Sequence, residues 1–227
     1  MAVIRLIRHG QASFGLKDYD QLSELGFEQA RLLGRSLRRR VPEVDRVICG
    51  GMERHRQTAE TALEAMGIDL EIEVDPRWNE YDHEDLVARF KPAYRSKTVM
   101  IADLTRKGDP RRQFQLMFEQ ALARWTAGGE GYAESFADFR ERVGSGLVEI
   151  SESSERAGDV LVFTSGGPVS AATAGLLGVQ AEGWLKLNRT CANCSETKIV
   201  AGRSGLSVVT WNAHPWFDAD RELLSYR

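Results

Sequence analysis

Arg8-His9-Gly10 puts a guanidinium beside an imidazole at the end of a short apolar run. Arginine grips phosphate oxygens through a bidentate fork, and a neutral imidazole nitrogen can attack phosphorus. Alone, the triplet is a weak signal, because a histidine ending a strand often does no more than make a local hydrogen bond. Three further clusters change its weight. In Gly50-Gly51-Met52-Glu53-Arg54-His55-Arg56-Gln57-Thr58-Ala59, Arg54 falls in the first turn of a helix, where free N–H groups and the positive dipole end attract anions. It is a candidate second phosphate clamp, while His55 and Arg56 are expected to point elsewhere on the helix, solvated or packed. Trp78-Asn79-Glu80 supplies a carboxylic acid where a leaving-group oxygen would need a proton. Thr164-Ser165-Gly166-Gly167 offers hydroxyls and bare backbone amides at a helix start, an anion nest in its own right. Together these residue types describe phosphoryl transfer.

The elements that must hold them follow from pattern. Residues Ala2 to Ile7 read as a short buried strand that delivers Arg8 and His9 at its end. A polar loop leads to a helix with Ser23 as N-cap, and Leu22 and Phe27 occupy hydrophobic-staple positions around it. Phe27, Ala30, Leu33 and Leu37 follow helical spacing and are expected to face the sheet. Arg38, Arg39 and Arg40 suit the negative pole of that helix better than they suit a nucleic-acid patch. Arg46 to Cys49 is a second strand, followed by a helix from about Met52 to Met66. Leu70 to Val74 is a third strand ending at Asp75-Pro76. Residues from about Glu84 to Gly128 are helical in composition, with a break near Gly108-Asp109-Pro110. Glu134 to Ile150 is another helix, and Asp159 to Thr164 a strand that Gly166-Gly167-Pro168 turns into a helix. Thr197 to Val200 and Leu206 to Trp211 read as a hairpin around Gly205. This alternation, without repeat or linker, predicts an α/β fold: a three-layer α/β/α sandwich with a mainly parallel central sheet. Ligands of such sheets bind at the carboxyl ends of strands, where all four clusters fall. The expected organisation is a single domain over 1–227, with a helical insertion at about 84–131 covering the pocket.

Composition narrows the partners. With 227 residues, 42% hydrophobic and 28% charged, the chain can bury a sizeable core. A net charge of -3 gives no reason to expect nucleic acid or an anionic membrane. No apolar run is long enough to cross a bilayer, and the apolar N-terminus is too short for a signal peptide, so cytoplasmic residence is the default expectation. Three cysteines argue against a disulfide framework. Cys191 and Cys194 have the gap of a zinc or redox pair, but no second pair completes a zinc site, and two reduced thiols are the expectation. The five tryptophans are expected in the core or at its rim, with Trp78 as a possible pocket wall.

Leu6-Ile7-Arg8-His9-Gly10, Leu22-Ser23-Glu24-Leu25-Gly26-Phe27-Glu28-Gln29-Ala30 and Arg54-His55-Arg56-Gln57-Thr58-Ala59 resemble, in order, the signatures of the histidine phosphatase superfamily, in its phosphoglycerate mutase-like branch. Phe136 to Val143 resembles its pattern before the last strands. The resemblance implies that His9 is phosphorylated in a covalent intermediate, that Arg8 and Arg54 hold the phosphoryl group, and that Glu80 donates a proton to the leaving group. It implies no metal and no cofactor. The partner it implies is a small phosphorylated substrate or inorganic phosphate, and a homodimer is compatible with the chain.

Three departures from that pattern stand out. Ser165 occupies the place of the family's second histidine, with Gly166 beside it as a phosphate contact. A neutral donor is worth about 1 kcal/mol against roughly 1.5–3 for a charged one, so turnover is expected to be slower by roughly tenfold. Ala12 and Gly15 replace a threonine and an asparagine, and Tyr81-Asp82-His83-Glu84-Asp85 lacks a glycine-rich continuation, leaving Asp82 and Glu84 open as rivals to Glu80. His83 and His214 could stand in for the missing imidazole, though each reads better as a loop or surface histidine. The function expected is a metal-independent phosphomonoester hydrolase. The alternative is a phosphate-binding module with weak or no turnover; a phosphomutase fits the less fully charged pocket poorly. A dinucleotide-binding domain is excluded by the missing glycine fingerprint.

Overall fold

The structure, a computed structural model, describes residues 2–13, 20–153 and 158–226; Gly15 lies outside them. The first strand, β1 (Ala2–Arg8), is buried along most of its length because strands flank both its edges and helices cover both its faces. Its one interior charge, Arg5, is answered by Asp159 and, at 2.6 Å, by Glu196. Strands β2 (Val44–Cys49), β3 (Ile72–Val74) and β4 (Asp159–Thr164) run parallel to it, while β5 (Glu196–Gly202) and β6 (Gly205–Ala213) form the expected antiparallel hairpin. The sheet order is β3-β2-β4-β1-β5-β6. The sheet is therefore mainly parallel, and the carboxyl ends of β1, β2 and β4 lie side by side. The third strand is shorter than its composition suggested. It pairs with β2 only through Ile72, Glu73 and Val74, and Leu70 is exposed before it.

Helices cover both faces. On one, α1 (Glu24–Arg40) and α2 (Glu53–Met66) pack Ala30, Leu33, Leu37, Ala59, Ala62 and Leu63 against Val47, Leu161 and Phe163. Ser23 caps α1 as expected, its Oγ accepting the Gly26 N–H at 3.1 Å. Phe27 is the exception on the stripe: it is only partly buried and stays outside this core, because it lies in the first turn, before the helix reaches the sheet. The opposite face is covered by helices that follow residue 135. The segment before them, expected as a helical insertion, contains α3 (His83–Phe90), α4 (Lys97–Arg106) and α5 (Pro110–Thr126), with a 3₁₀ turn at Pro92–Arg95 adding a second break. Val87, Tyr94 and Leu104 give it a small core, and Leu122 and Trp125 tie it to the main one. Its basic residues are largely neutralised: Arg89 pairs with Asp85, Lys97 with Glu84, and Lys91, Arg106 and Lys107 converge on Asp103. Then α6 (Phe136–Ser153), α7 (Gly166–Leu176) and α8 (Ala181–Thr190) pack Phe139, Ala171 and Trp184 against Ile4, Leu6 and Val162, completing an α/β/α sandwich. No described helix is long and apolar enough to cross a membrane.

Close backbone approach explains the glycine in Leu25-Gly26-Phe27. A Cβ on Gly26 would lie 2.2 Å from the Gln11 carbonyl oxygen, and one on Gly10 would lie 2.5 Å from that of Gly26. The loop after His9 thus rests directly on the first turn of α1. Gly26→Ala is expected to lower unfolding free energy by about 1–3 kcal/mol, the cost of overpacking a site that cannot yield. Urea denaturation followed by circular dichroism measures it.

Candidate active site

The end of β1 fixes His9 by its backbone. Its N–H donates to the Thr164 carbonyl at 2.8 Å, and its carbonyl accepts from Asn193 Nδ2 at 3.0 Å. Two side-chain contacts then define the ring. Nδ1 lies 2.6 Å from the Gly10 carbonyl, which can only accept, so Nδ1 carries the proton. Arg54 Nε, which can only donate, lies 3.2 Å from Nε2, so Nε2 holds the lone pair. Burial, together with the charges of Arg54 and Arg8, holds the imidazole well below the ordinary histidine range, hence neutral near pH 7.

The loop is held by residues whose motifs were visible but whose roles were not. The Gly10 N–H donates to Thr58 Oγ1 at 3.1 Å, the Leu22 N–H to Gln57 Oε1 at 2.9 Å, and the Gln11 N–H to Gln29 Oε1 at 2.8 Å. Gln29 Nε2 in turn donates to the Leu223 carbonyl at 2.7 Å, and Ser225 donates to Asn193 Oδ1 at 3.0 Å. Nothing local in the sequence announces the parts played by Asn193 and Ser225. The Cys191 and Cys194 thiols are free and buried; the stretch between them supports Arg8 and His9 from behind, through Cys191 O and Cys194 N.

The two arginines come together around His9. Arg8 donates through Nη1 to the Cys191 carbonyl, while its buried Nε has no partner. Arg54 donates through Nη1 to Asp20 Oδ1 at 2.6 Å, and Asp20 Oδ2 accepts the Glu53 N–H at 2.9 Å. Asp20 therefore occupies anion positions at the start of α2. Because it is about half exposed, its competition is screened and modest. Asp20→Asn is expected to tighten inorganic phosphate binding by roughly two- to fivefold, from about 0.2–1 kcal/mol for such a pair. Competitive inhibition by phosphate checks the sign; weaker binding would make Asp20 an orienting group for Arg54 instead.

Glu80 lies beyond a 3₁₀ turn at Pro76–Trp78 that follows β3. Its Oε1 accepts the Tyr81 N–H and its Oε2 the Gly167 N–H, both at 3.2 Å. Burial raises its pKa above the usual carboxylate range, against the lowering pull of Arg54, those two N–H groups and Arg8. Its rivals are placed elsewhere: Asp82 caps α3 through the Glu84 and Asp85 N–H groups, and Glu84 pairs with Lys97 on the surface. One amide of the expected nest at the start of α7 is thus engaged by Glu80. A Cβ on Gly167 would fall 2.0 Å from Glu80 Oε1 and 2.9 Å from the Tyr81 ring, so a side chain there would displace the Glu80 carboxyl. Trp78 is a core residue, fully buried.

Ser165 stands at the N-cap position of α7, fully buried, and makes no capping bond. Its hydroxyl lies 2.7 Å from Nε2 of His55. Contrary to expectation, His55 points inward: it is fully buried, with its ring centroid 5.7 Å from that of His9. Arg56 behaves as expected, exposed and paired with Glu53 and Glu60. Gly166 lies beside Arg8 and Asn188, where a Cβ would meet Asn188 Oδ1 at 3.2 Å. His83 is exposed in the first turn of α3, and His214 lines a cavity with Phe217 and Arg221. Among the described residues, no three His, Cys, Asp or Glu side chains gather as a metal ion would require.

A family model, the histidine phosphatase superfamily (branch 1), matches residues 4–214. No curated protein matches the chain in sequence. Among solved structures, a mycobacterial glucosyl-3-phosphoglycerate phosphatase is similar with a TM-score of 0.65 at 22% identity, covering 93% of this chain and 99% of its own. A phosphoserine phosphatase from Entamoeba histolytica gives 0.63 at 15%, with 94% and 98% covered. A phosphoglycerate mutase from Bacillus anthracis gives 0.65 at 18%, with 96% and 95% covered. At such identities these neighbours speak to the fold, while the family model spans nearly the whole sequence: the chain belongs to the histidine phosphatase superfamily.

Proposed function

We propose that the protein hydrolyses small phosphate monoesters, without a metal ion, through a phosphohistidine at His9. The observation that carries this reading is the orientation of the ring: Nδ1–H is anchored on Gly10, and the lone pair of Nε2 is turned toward Arg54. In the first step Nε2 attacks phosphorus, the P–O bond to the leaving group breaks, and the departing oxygen takes the Glu80 proton. Arg8 and Arg54 balance the charge on the phosphoryl oxygens, the part a metal ion plays in other phosphoryl-transfer sites. In the second step water attacks phosphorus, its proton passes to the Glu80 carboxylate, and the N–P bond returns its electron pair to Nε2. Ser165 and Gly166 complete the phosphate cradle. Relatives by fold are described as acting on phosphoserine and glucosyl-3-phosphoglycerate, and a small acidic phosphate ester is the substrate class we assign.

The test is metal-free incubation with an aryl phosphate, followed by quenching in alkaline detergent to trap protein-bound phosphate. Alkali-stable, acid-labile label on His9 is expected. Phosphate binding without turnover or label would replace this reading with that of a phosphate-binding module.

A further inference from the structure

The mechanism above leaves one buried imidazole without a task. His55 is fully buried in the first turn of α2, yet only one ring nitrogen makes a full hydrogen bond, Nε2 with Ser165 Oγ at 2.7 Å. Nδ1 faces the Gly50 backbone, which favours a proton on the ring, but the contact falls short of a full hydrogen bond; a Cβ on Gly50 would come within 2.4 Å of it. Buried polar groups are normally satisfied, so an incompletely paired imidazole marks a place reserved for function. Ser165 points the same way, since it forgoes the capping bond its position invites. The sheet register places this pair at the reacting centre: Arg8 is opposite Thr164, and the His9 N–H donates to the Thr164 carbonyl, so Ser165 is the next residue along. The charged and titratable groups facing His55 are Arg54, from its own helix, and His9, from the end of β1.

We propose that His55 is a positioning residue acting through Ser165: its Nε2–H donates to Ser165 Oγ, which turns the serine proton onto an oxygen of the phosphoryl group bound at His9. When a dianionic phosphate enters, its charge draws a solvent proton onto Nδ1 of His55. The ring then becomes an imidazolium, and the Ser165 hydroxyl becomes a charge-assisted donor. Before substrate arrives, burial and Arg54 keep the ring neutral, which spares the empty pocket a further buried positive charge. The inference rests on the phosphohydrolase reading of this site. It also changes the meaning of Ser165, whose hydroxyl is the end of a two-residue donor and does not act alone.

The chain has four histidines, so ¹⁵N-histidine NMR can resolve each of them. Titrating the protein with inorganic phosphate is expected to move His55 from the neutral to the imidazolium signature, and Ser165→Ala is expected to blunt that response. His55→Gln should lower kcat/KM for an aryl phosphate by about ten- to a hundredfold, chiefly in kcat, as loss of a charged donor implies. The exchanged variant, His55→Ser with Ser165→His, should recover most of that loss, because an imidazole returns to the same space. A His55 signal unmoved at saturating phosphate, or His55→Gln turnover within twofold of the parent, would overturn the proposal. Failure of the underlying reading looks different: turnover surviving His9→Ala removes the nucleophile but leaves the His55 response to phosphate intact. If the parent binds phosphate without turning over, the same tenfold loss is read in phosphate affinity.

Discussion

His9→Ala is expected to reduce kcat/KM for an aryl phosphate by on the order of 10⁴–10⁶, the range seen when a covalent nucleophile is removed from a preorganised site. The loss should fall almost entirely on chemistry. Arg8 is held by the Cys191 carbonyl and Arg54 by Asp20, neither through His9 alone, so both clamps remain after truncation. Phosphate should therefore still bind His9→Ala within a few-fold of the parent. The main backbone anchors of residue 9, to Thr164 and Asn193, do not involve the ring and keep the loop in place. Single-turnover quench experiments check both halves: no phosphoenzyme in the variant, with competitive phosphate binding retained. A variant that loses phosphate binding in proportion to turnover would show that the ring serves binding and not nucleophilic attack.

Glu80→Gln is expected to cost roughly 10²–10⁴ in kcat/KM, the usual contribution of a positioned general acid, with a marked dependence on the leaving group. An alkyl phosphate, whose alkoxide is strongly basic, should show the full loss. A nitrophenyl phosphate, whose phenolate departs without help, should show little loss in the first step and accumulate phosphoenzyme, because the base that activates water is then missing. The pH profile gives an independent reading. His9 must be neutral to attack, so activity rises as it loses its proton, and burial with Arg54 and Arg8 moves that limb below the ordinary histidine range. Glu80 must be protonated to donate, so activity falls as it ionises, and burial moves that limb above the ordinary carboxylate range. The two shifts bring the required forms toward coexistence. Glu80→Gln should abolish the falling limb and leave the rising one, as initial-rate profiles of kcat/KM can show. A falling limb that persists would assign it to another group.

Much of this framework was readable from residue order because it rests on local rules. A buried apolar run ending in Arg8-His9 gives a strand with its chemistry at the carboxyl end, and Ser23 before a periodic stripe gives a capped helix. Arg54 in the first turn of α2 follows from the Gly50-Gly51 break that stops β2. Glu80 was harder, because three acids within five residues are indistinguishable by pattern. The structure separates them by what they hold: Asp82 a helix cap, Glu84 a surface lysine, Glu80 the Tyr81 and Gly167 amides. His55 was misjudged for a geometric reason. Helical periodicity sets neighbouring residues about 100° apart, so Arg54 facing the site seemed to turn His55 away. But α2 meets the site end-on, and residues of an end-on first turn surround the ligand space, whichever face they belong to. Arg54 thus reaches His9 while His55 reaches Ser165.

The sequence by itself determined the alternation of strands and helices, and it singled out a histidine, two arginines and an acid near strand ends as the candidate site. It also exposed the serine where a second imidazole is expected. Only the tertiary structure decided how these parts are held. Gln29 reaches Leu223 and Ser225, and Asn193 reaches His9, across separations of 184 to 196 residues that leave no periodic trace. It also decided that an imidazole stands beside Ser165 after all, on α2. Local spacing encodes which element a residue belongs to, but contacts between the ends of different elements are fixed by sheet order and packing. That is why the place of His9 at a strand end could be read from the sequence while the partner of Ser165 could not.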